Sequence, residues 1–175
     1  MDNEIGLKRN TVELKEYSSY WKENAEITVS KLWDLLGNTA KGIEHIGSTS
    51  VEGLDAKPII DIAIGVTSLE DIVPYLDELS RNGFVHVPER DSYEQVFLSC
   101  GNFDEDIRTH YIHVVIYEGR EWKNYLLFRD KLNSDKKLKT QYQYLKRKLR
   151  EEYPNDREAY TVGKAMFIEK VLETE

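Results

Sequence analysis

The chain has 175 residues, 40% apolar and 32% charged, and a formal net charge of -8. That length suits one domain able to bury roughly two-thirds of the surface of its unfolded chain, and that balance excludes nonspecific nucleic-acid binding, which rests on neutralising phosphates with Lys and Arg. No apolar run approaches the ~20 residues of a membrane span, the stretch MDNEIGLKRNTVELK has no hydrophobic centre of a signal peptide, and the lone Cys100 forms no internal disulfide, which together read as a cytoplasmic protein.

In chain order, Trp21, Ala25, Val29, Leu32, Trp33 and Leu36 recur at three- and four-residue spacing and predict an amphipathic helix over 17–36, stopped by Gly37 and Asn38. Strands follow over 42–46 and 57–66, the second a dense Ile/Val run. Ser68 is a cap for a helix through about 82, with Glu70 and Asp71 in its first turn and Gly83 as its stop. Further strands are expected over 83–87, 93–100 and 109–119, then helices over 121–132, 135–152 and, past Pro154-Asn155, 156–172. This order predicts an α/β or α+β fold, a mixed sheet covered by helices with a nearly all-helical C-terminal third. Arg129 to Arg150 holds nine basic residues against two acidic ones, a local +7 that leaves -15 to the rest of the chain. Two readings stand: a solvated helical face, or a basic wall for an anion.

The stretch HIGSTSVEGLDAKPIIDIAIGV, 45–66, carries the chemistry. Gly47-Ser48-Thr49-Ser50 follows a strand directly. Glycine admits a ligand close to the backbone, and hydroxyls with free N–H groups hold phosphate oxygens, although the same residues also make ordinary turns. Thirteen positions on, Asp61 interrupts an apolar strand, where a carboxylate is costly unless it is paired, metal-bound or at a strand mouth. A hydroxyl turn and a carboxylate at one sheet edge are half of a Mg²⁺–nucleotide site.

HIGSTS, GL-x-AKPIIDI, HYIHVV, FRDKL and Y-T-x-x-K, in that order, resemble the GrpB family, proteins assigned to the nucleotidyltransferase superfamily fold and found fused to dephospho-CoA kinase. The resemblance implies a nucleotidyltransferase-like sheet and a site position, with Gly47-Ser48 as the turn and Asp61 as the first acid. It also implies Mg²⁺ or Mn²⁺ held by Asp61 with His113 or Glu94, His113 standing where the superfamily keeps a third acid. Two positions depart from the pattern. Ala63 stands where a second acid belongs, and Glu52 where the family has proline. His110 falls on the opposite face of its strand from His113, and His45 reads as a brace for the turn. Lys57 and Arg129 are candidate phosphate contacts beside Ser48, Thr49 and Ser50; Arg129 also reads as half of an Arg–Asp pair tying a helix to the sheet. Tyr160 and Lys164, four apart, share a helix face over the site, with Lys164 a further phosphate contact.

Two functions are expected from these residues. One is a metal-dependent transferase of a nucleotidyl or phosphoryl group from a nucleoside triphosphate to a small acceptor, with Asp61 and His113 catalytic. The alternative, favoured by Ala63, is a catalytically silent module that binds a nucleotide or coenzyme-A-like anion, or serves as an accessory or folding partner. The expected partner is a small anion, a nucleotide first; nucleic acid and membrane are not expected, and a sheet edge beside the first helix leaves room for a homodimer.

Overall fold

The computed structural model describes residues 5–173, so the first four residues of the N-terminal stretch lie outside it. After a two-residue strand β1 (Leu7–Lys8), helix α1 runs Ser19–Leu36. The side chain of Ser18 accepts from the Tyr20 N–H at its start, and Gly37 closes it at φ 48°. Trp21, Ala25, Thr28, Leu32 and Leu36 form its buried stripe, the face its apolar spacing predicts except that Val29 is only partly buried and Trp33 is exposed.

Five strands make the main sheet: β2 (Gly42–Ile46), β3 (Ile60–Val66), β4 (Val85–His86), β5 (Gln95–Cys100) and β7 (His110–Ile116). Their order is β2-β3-β7-β5-β4, with β3 and β7 parallel and every other pair antiparallel, so the sheet is mixed. A second ladder pairs β1 with β6 (Ile107–Arg108). Strand β3 is central and covered on both faces, which explains its unbroken apolar run. Ile60, Ile62, Ile64 and Val66 pack with Trp21, Leu32 and Leu36 of α1. On the other face Ala63 packs with Ile46, Val115 and Trp122.

The C-terminal third is helical, as expected: α3 (Arg120–Ser134), α4 (Lys136–Glu152), α5 (Arg157–Val162) and α6 (Ala165–Glu173). Trp122 of α3 fits against the sheet because Gly42 and Gly65 leave room; a Cβ on Gly65 would stand 3.1 Å from its ring and 2.7 Å from Tyr117. None of the described helices is long and apolar enough to cross a membrane.

Two expected helices differ in kind. Residues 69–75 form a 3-10 helix before a short α2 (Leu76–Arg81). Pro74 lies inside that stretch; it has no N–H for the Glu70 carbonyl and its ring clashes there, so the α pattern cannot form until the proline is passed. The last helix is broken at Gly163 and Lys164. Glycine favours helix weakly, and the interruption leaves Lys164 at a corner between α5 and α6. The strand expected from 57 begins only at Ile60, because the chain bends at Pro58, with the Ile59 N–H donating to the Lys57 carbonyl at 2.7 Å, and the ladder starts with Ile60 N–H to the Thr109 carbonyl.

Candidate anion-binding site

The turn after β2 is held by its own short bonds. Gly47 has φ 71° and ψ -172°, a conformation essentially closed to side chains. Residues 48–50 make one 3-10 turn in which the Ser50 hydroxyl donates to the Gly47 carbonyl at 2.6 Å. A Cβ on Gly47 would stand 2.7 Å from Asp61 Oδ2, so glycine lets the turn press against the acid on β3. His45 fixes the same turn from β2, its Nε2 lying 2.9 Å from the buried Thr49 hydroxyl. Burial lowers the His45 pKa to about 4, so the ring is neutral.

Parallel pairing of β3 and β7 sets Asp61 beside Tyr111 and Ala63 beside His113. His113 reaches diagonally to Asp61, Nε2 to Oδ1 at 3.3 Å, while its Nδ1 lies 3.2 Å from Gln95 Oε1 on β5. Burial alone would raise the Asp61 pKa. The hydrogen bond and charge of His113, with the charges of Lys57 and Lys164, outweigh it and leave the pKa below the ordinary value. Asp61 is therefore a carboxylate, and Nε2–H of His113 donates to it.

Around this pair lies a cavity of about 190 Å³ lined by Ser48, Thr49, Lys57, Asp61, His113 and Lys164, with Ile59, Arg90, Tyr111, Arg157, Tyr160 and Thr161. Four cations face one carboxylate. Lys57 comes from the lead-in to β3. Arg90 comes from a 3-10 turn at 88–90, beside which Asp91 accepts from the Phe97 N–H at 2.8 Å and pairs with His86 at 2.7 Å. Arg157 and Lys164 come from the two ends of the α5 segment. Burial pushes the Lys57 pKa well below the usual lysine value, and the charges of Lys164 and Arg157 push it the same way. Lys164 is lowered to about 8, again by burial first, with Asp61 opposing and Arg157 assisting. These ammonium groups are crowded and poorly solvated, and a bound anion would relieve both costs.

The structure thus brings together Gly47, Ser48, Thr49, Lys57, Asp61, His113 and Lys164. It does not bring Arg129, Glu94 or Ser50 to the cavity. Arg129 on α3 donates to Glu44 Oε2 at 2.8 Å and to the His45 carbonyl at 3.1 Å, and pairs with Asp130. Glu94 is engaged by Arg120, and the Ser50 hydroxyl is spent within the turn. None of the nine basic residues of 129–150 lines the cavity; Lys146 is buried against the Asp55 carbonyl, Arg147 pairs with Asp55, and Lys139 donates to the Glu52 carbonyl. His110 sits between Thr28 and Thr109 on the far face. Sequence reasoning missed Arg90, Arg157, Tyr111 and Thr161 as cavity residues. Arg157 was within reach, three positions before Tyr160 on one helix face; Arg90 lies in a turn with no periodic signal.

Sheet, turn and cavity thus set one carboxylate among four basic side chains. A family model described as GrpB protein matches residues 11–174, and the chain belongs to the GrpB family. The chain is 35% identical over 170 residues to the Glutamate-rich protein GrpB of Alkalihalophilus pseudofirmus, covering 96% of this chain and 98% of that one. It is 29% identical to the UPF0157 protein YqkA of Bacillus subtilis, covering 94% of this chain but 47% of that protein. The crystal structure of the conserved protein GrpB from Enterococcus faecalis superposes with a TM-score of 0.83 at 31% identity, over 92% of this chain and 95% of that one. The five motifs that suggested the family are thus matched by likeness over nearly the whole chain.

Proposed function

We propose that the cavity beside Gly47-Ser48-Thr49 binds a small phosphorylated anion of the nucleotide class, its phosphates held by Lys57, Arg90, Arg157 and Lys164. One observation carries this reading: four basic side chains from three segments converge on a half-enclosed cavity that supplies only one carboxylate, itself hydrogen-bonded to His113. Cations left this close without an anion repel one another, and a low-dielectric setting enlarges that cost.

The donor set fits a protein-held Mg²⁺ or Mn²⁺ poorly. Asp61 is the only carboxylate in the lining, Glu94 is committed to Arg120, and no group of three His, Cys, Asp or Glu residues among those described is arranged to hold a metal. Ala63, at the position of the second acid, is fully buried beside Trp122 and brings no oxygen to the site. Hard divalent ions need several oxygens. This supports the binding module over the metal-dependent transferase.

The Asp61–His113 contact favours a second reading, transfer of a phosphoryl or nucleotidyl group to a small acceptor. There the acceptor oxygen would bond to phosphorus of a nucleoside triphosphate as the P–O bond to the departing nucleoside diphosphate or pyrophosphate breaks, Asp61 would accept the hydroxyl's proton, and His113 would keep the carboxylate oriented. The two readings separate on Asp61→Asn. Binding alone predicts that ATP, in EDTA, raises the melting temperature of this variant at least as much as that of wild type, because a repelling charge is gone. Loss of the ATP shift in Asp61→Asn would overturn the binding reading, and ATP turnover abolished by the same change would establish the second.

A further inference from the structure

We infer that the cavity recognises a phosphate chain by itself, free of divalent metal and without reading the base or sugar that the chain carries. This rests on the nucleotide-class anion proposed above and says which part of it is bound. Three observations support it. First, about 190 Å³ is less than the roughly 300–1,000 Å³ of pockets that enclose a whole drug-sized ligand, so a phosphate chain fits and a nucleoside must lie outside.

Second, the tyrosine rings a base would stack on already carry cations. Arg90 and Arg157 lie 5.0 and 5.2 Å from the centre of the Tyr111 ring. Lys57 and Lys164 lie 5.1 and 4.7 Å from the centre of the Tyr160 ring. These are cation–π distances, and the tyrosines serve to carry cations at the cavity wall. A stacked base would have to compete with these cations for the rings.

Third, the polar lining is rich in donors. Lys57, Arg90, Arg157 and Lys164 offer hydrogens, and Ser48 and Thr49 add hydroxyls, while the Thr161 hydroxyl donates within its own helix to the Arg157 carbonyl at 2.8 Å. The one carboxylate has its Oδ1 engaged by His113 Nε2 at 3.3 Å, which leaves few acceptors for a sugar hydroxyl or base amine. Such a lining matches oxygens that only accept. A divalent ion on the phosphate chain would cancel part of its charge and occupy oxygens that the guanidinium and ammonium groups would otherwise contact. Magnesium therefore competes with the protein for the ligand.

The test is a calorimetric titration of the full chain with inorganic tripolyphosphate, ATP and CTP, first in EDTA and then with excess Mg²⁺. The expected result is three dissociation constants within about tenfold of one another, all weakened by Mg²⁺. A nucleotide bound more than about tenfold tighter than tripolyphosphate would show that the base or sugar is read, and overturn the inference while leaving nucleotide binding intact. Binding unchanged or tightened by Mg²⁺ would overturn it in the same way. No heat with any of the three would remove the anion-binding reading beneath it. Arg157→Gln, an exchange at a half-buried helix start, serves as the control: tripolyphosphate affinity should fall while the melting temperature of the unliganded chain stays within a few degrees.

Discussion

Lys164 holds the clearest pH signature. Its pKa of about 8 lies below the ordinary 10.5, chiefly through burial. Above pH 8 it loses its proton in the folded chain while the unfolded chain keeps it, so its contribution to stability rises with pH from about 8 toward 10.5. Anion binding runs the other way, because it needs the charge. Titration between pH 7 and pH 9 should show the dissociation constant for ATP rising several-fold, and Lys164→Arg should flatten that rise; a profile equally steep in the arginine variant would show that another group is responsible. Gly47 is the second decisive residue. Gly47→Ala must place a Cβ in a conformation reserved for glycine and 2.7 Å from Asp61 Oδ2. Thermal unfolding should show a loss of about 1–3 kcal/mol, and ATP affinity should fall as the turn that carries Ser48 and Thr49 is displaced from the cavity wall. An unchanged melting temperature would mean that the turn relaxes freely.

Among the elements, α3 shows how a charged motif can serve packing. Arg129 in FRDKL bonds Glu44 and the His45 carbonyl on β2, tying the helix to the edge strand that leads into the Gly47 turn. Arg129→Ala should cost about 1 kcal/mol of stability, these bonds being partly exposed, and should leave ATP affinity nearly unchanged. A tenfold loss of affinity with normal stability would instead make it a ligand contact. Helices and central strands were legible because burial writes a period into the chain: Trp21, Ala25 and Leu32 mark α1, and the Ile/Val run of β3 marks a strand covered on both faces. The site was legible where backbone and acid adjoin, at Gly47 and Asp61. What stayed hidden depends on tertiary placement. Nothing in the turn at 88–90 says that Arg90 will lie 3.6 Å from the centre of the Phe97 ring, and the basic run of 129–150 carries as much charge as a ligand wall while facing elsewhere. The break at Gly163 also has no strong marker, yet it decides that Lys164 meets the cavity.

Over the whole molecule, a chain of net charge -8 concentrates cations in one cavity, drawn from the lead-in to β3, the turn before β5 and the α5 segment. Because α5 and the corner after it supply Arg157, Tyr160, Thr161 and Lys164, ligand should hold this segment against the sheet. Hydrogen exchange with and without ATP should slow most at 157–164; protection confined to the sheet would mean that α5 takes no part. Screening should weaken binding as salt rises, since the ligand is charged and the cavity is partly open. The most direct measurement is calorimetric titration with ATP, in EDTA at pH 7, of the wild-type chain and of the double variant Arg157→Gln/Lys164→Gln. Binding by the wild type, weakened at least about tenfold in a double variant that still unfolds cooperatively, is the predicted result. Equal affinity in both chains would contradict the assignment of the cavity as the anion site, and no binding by the wild type would contradict anion binding altogether.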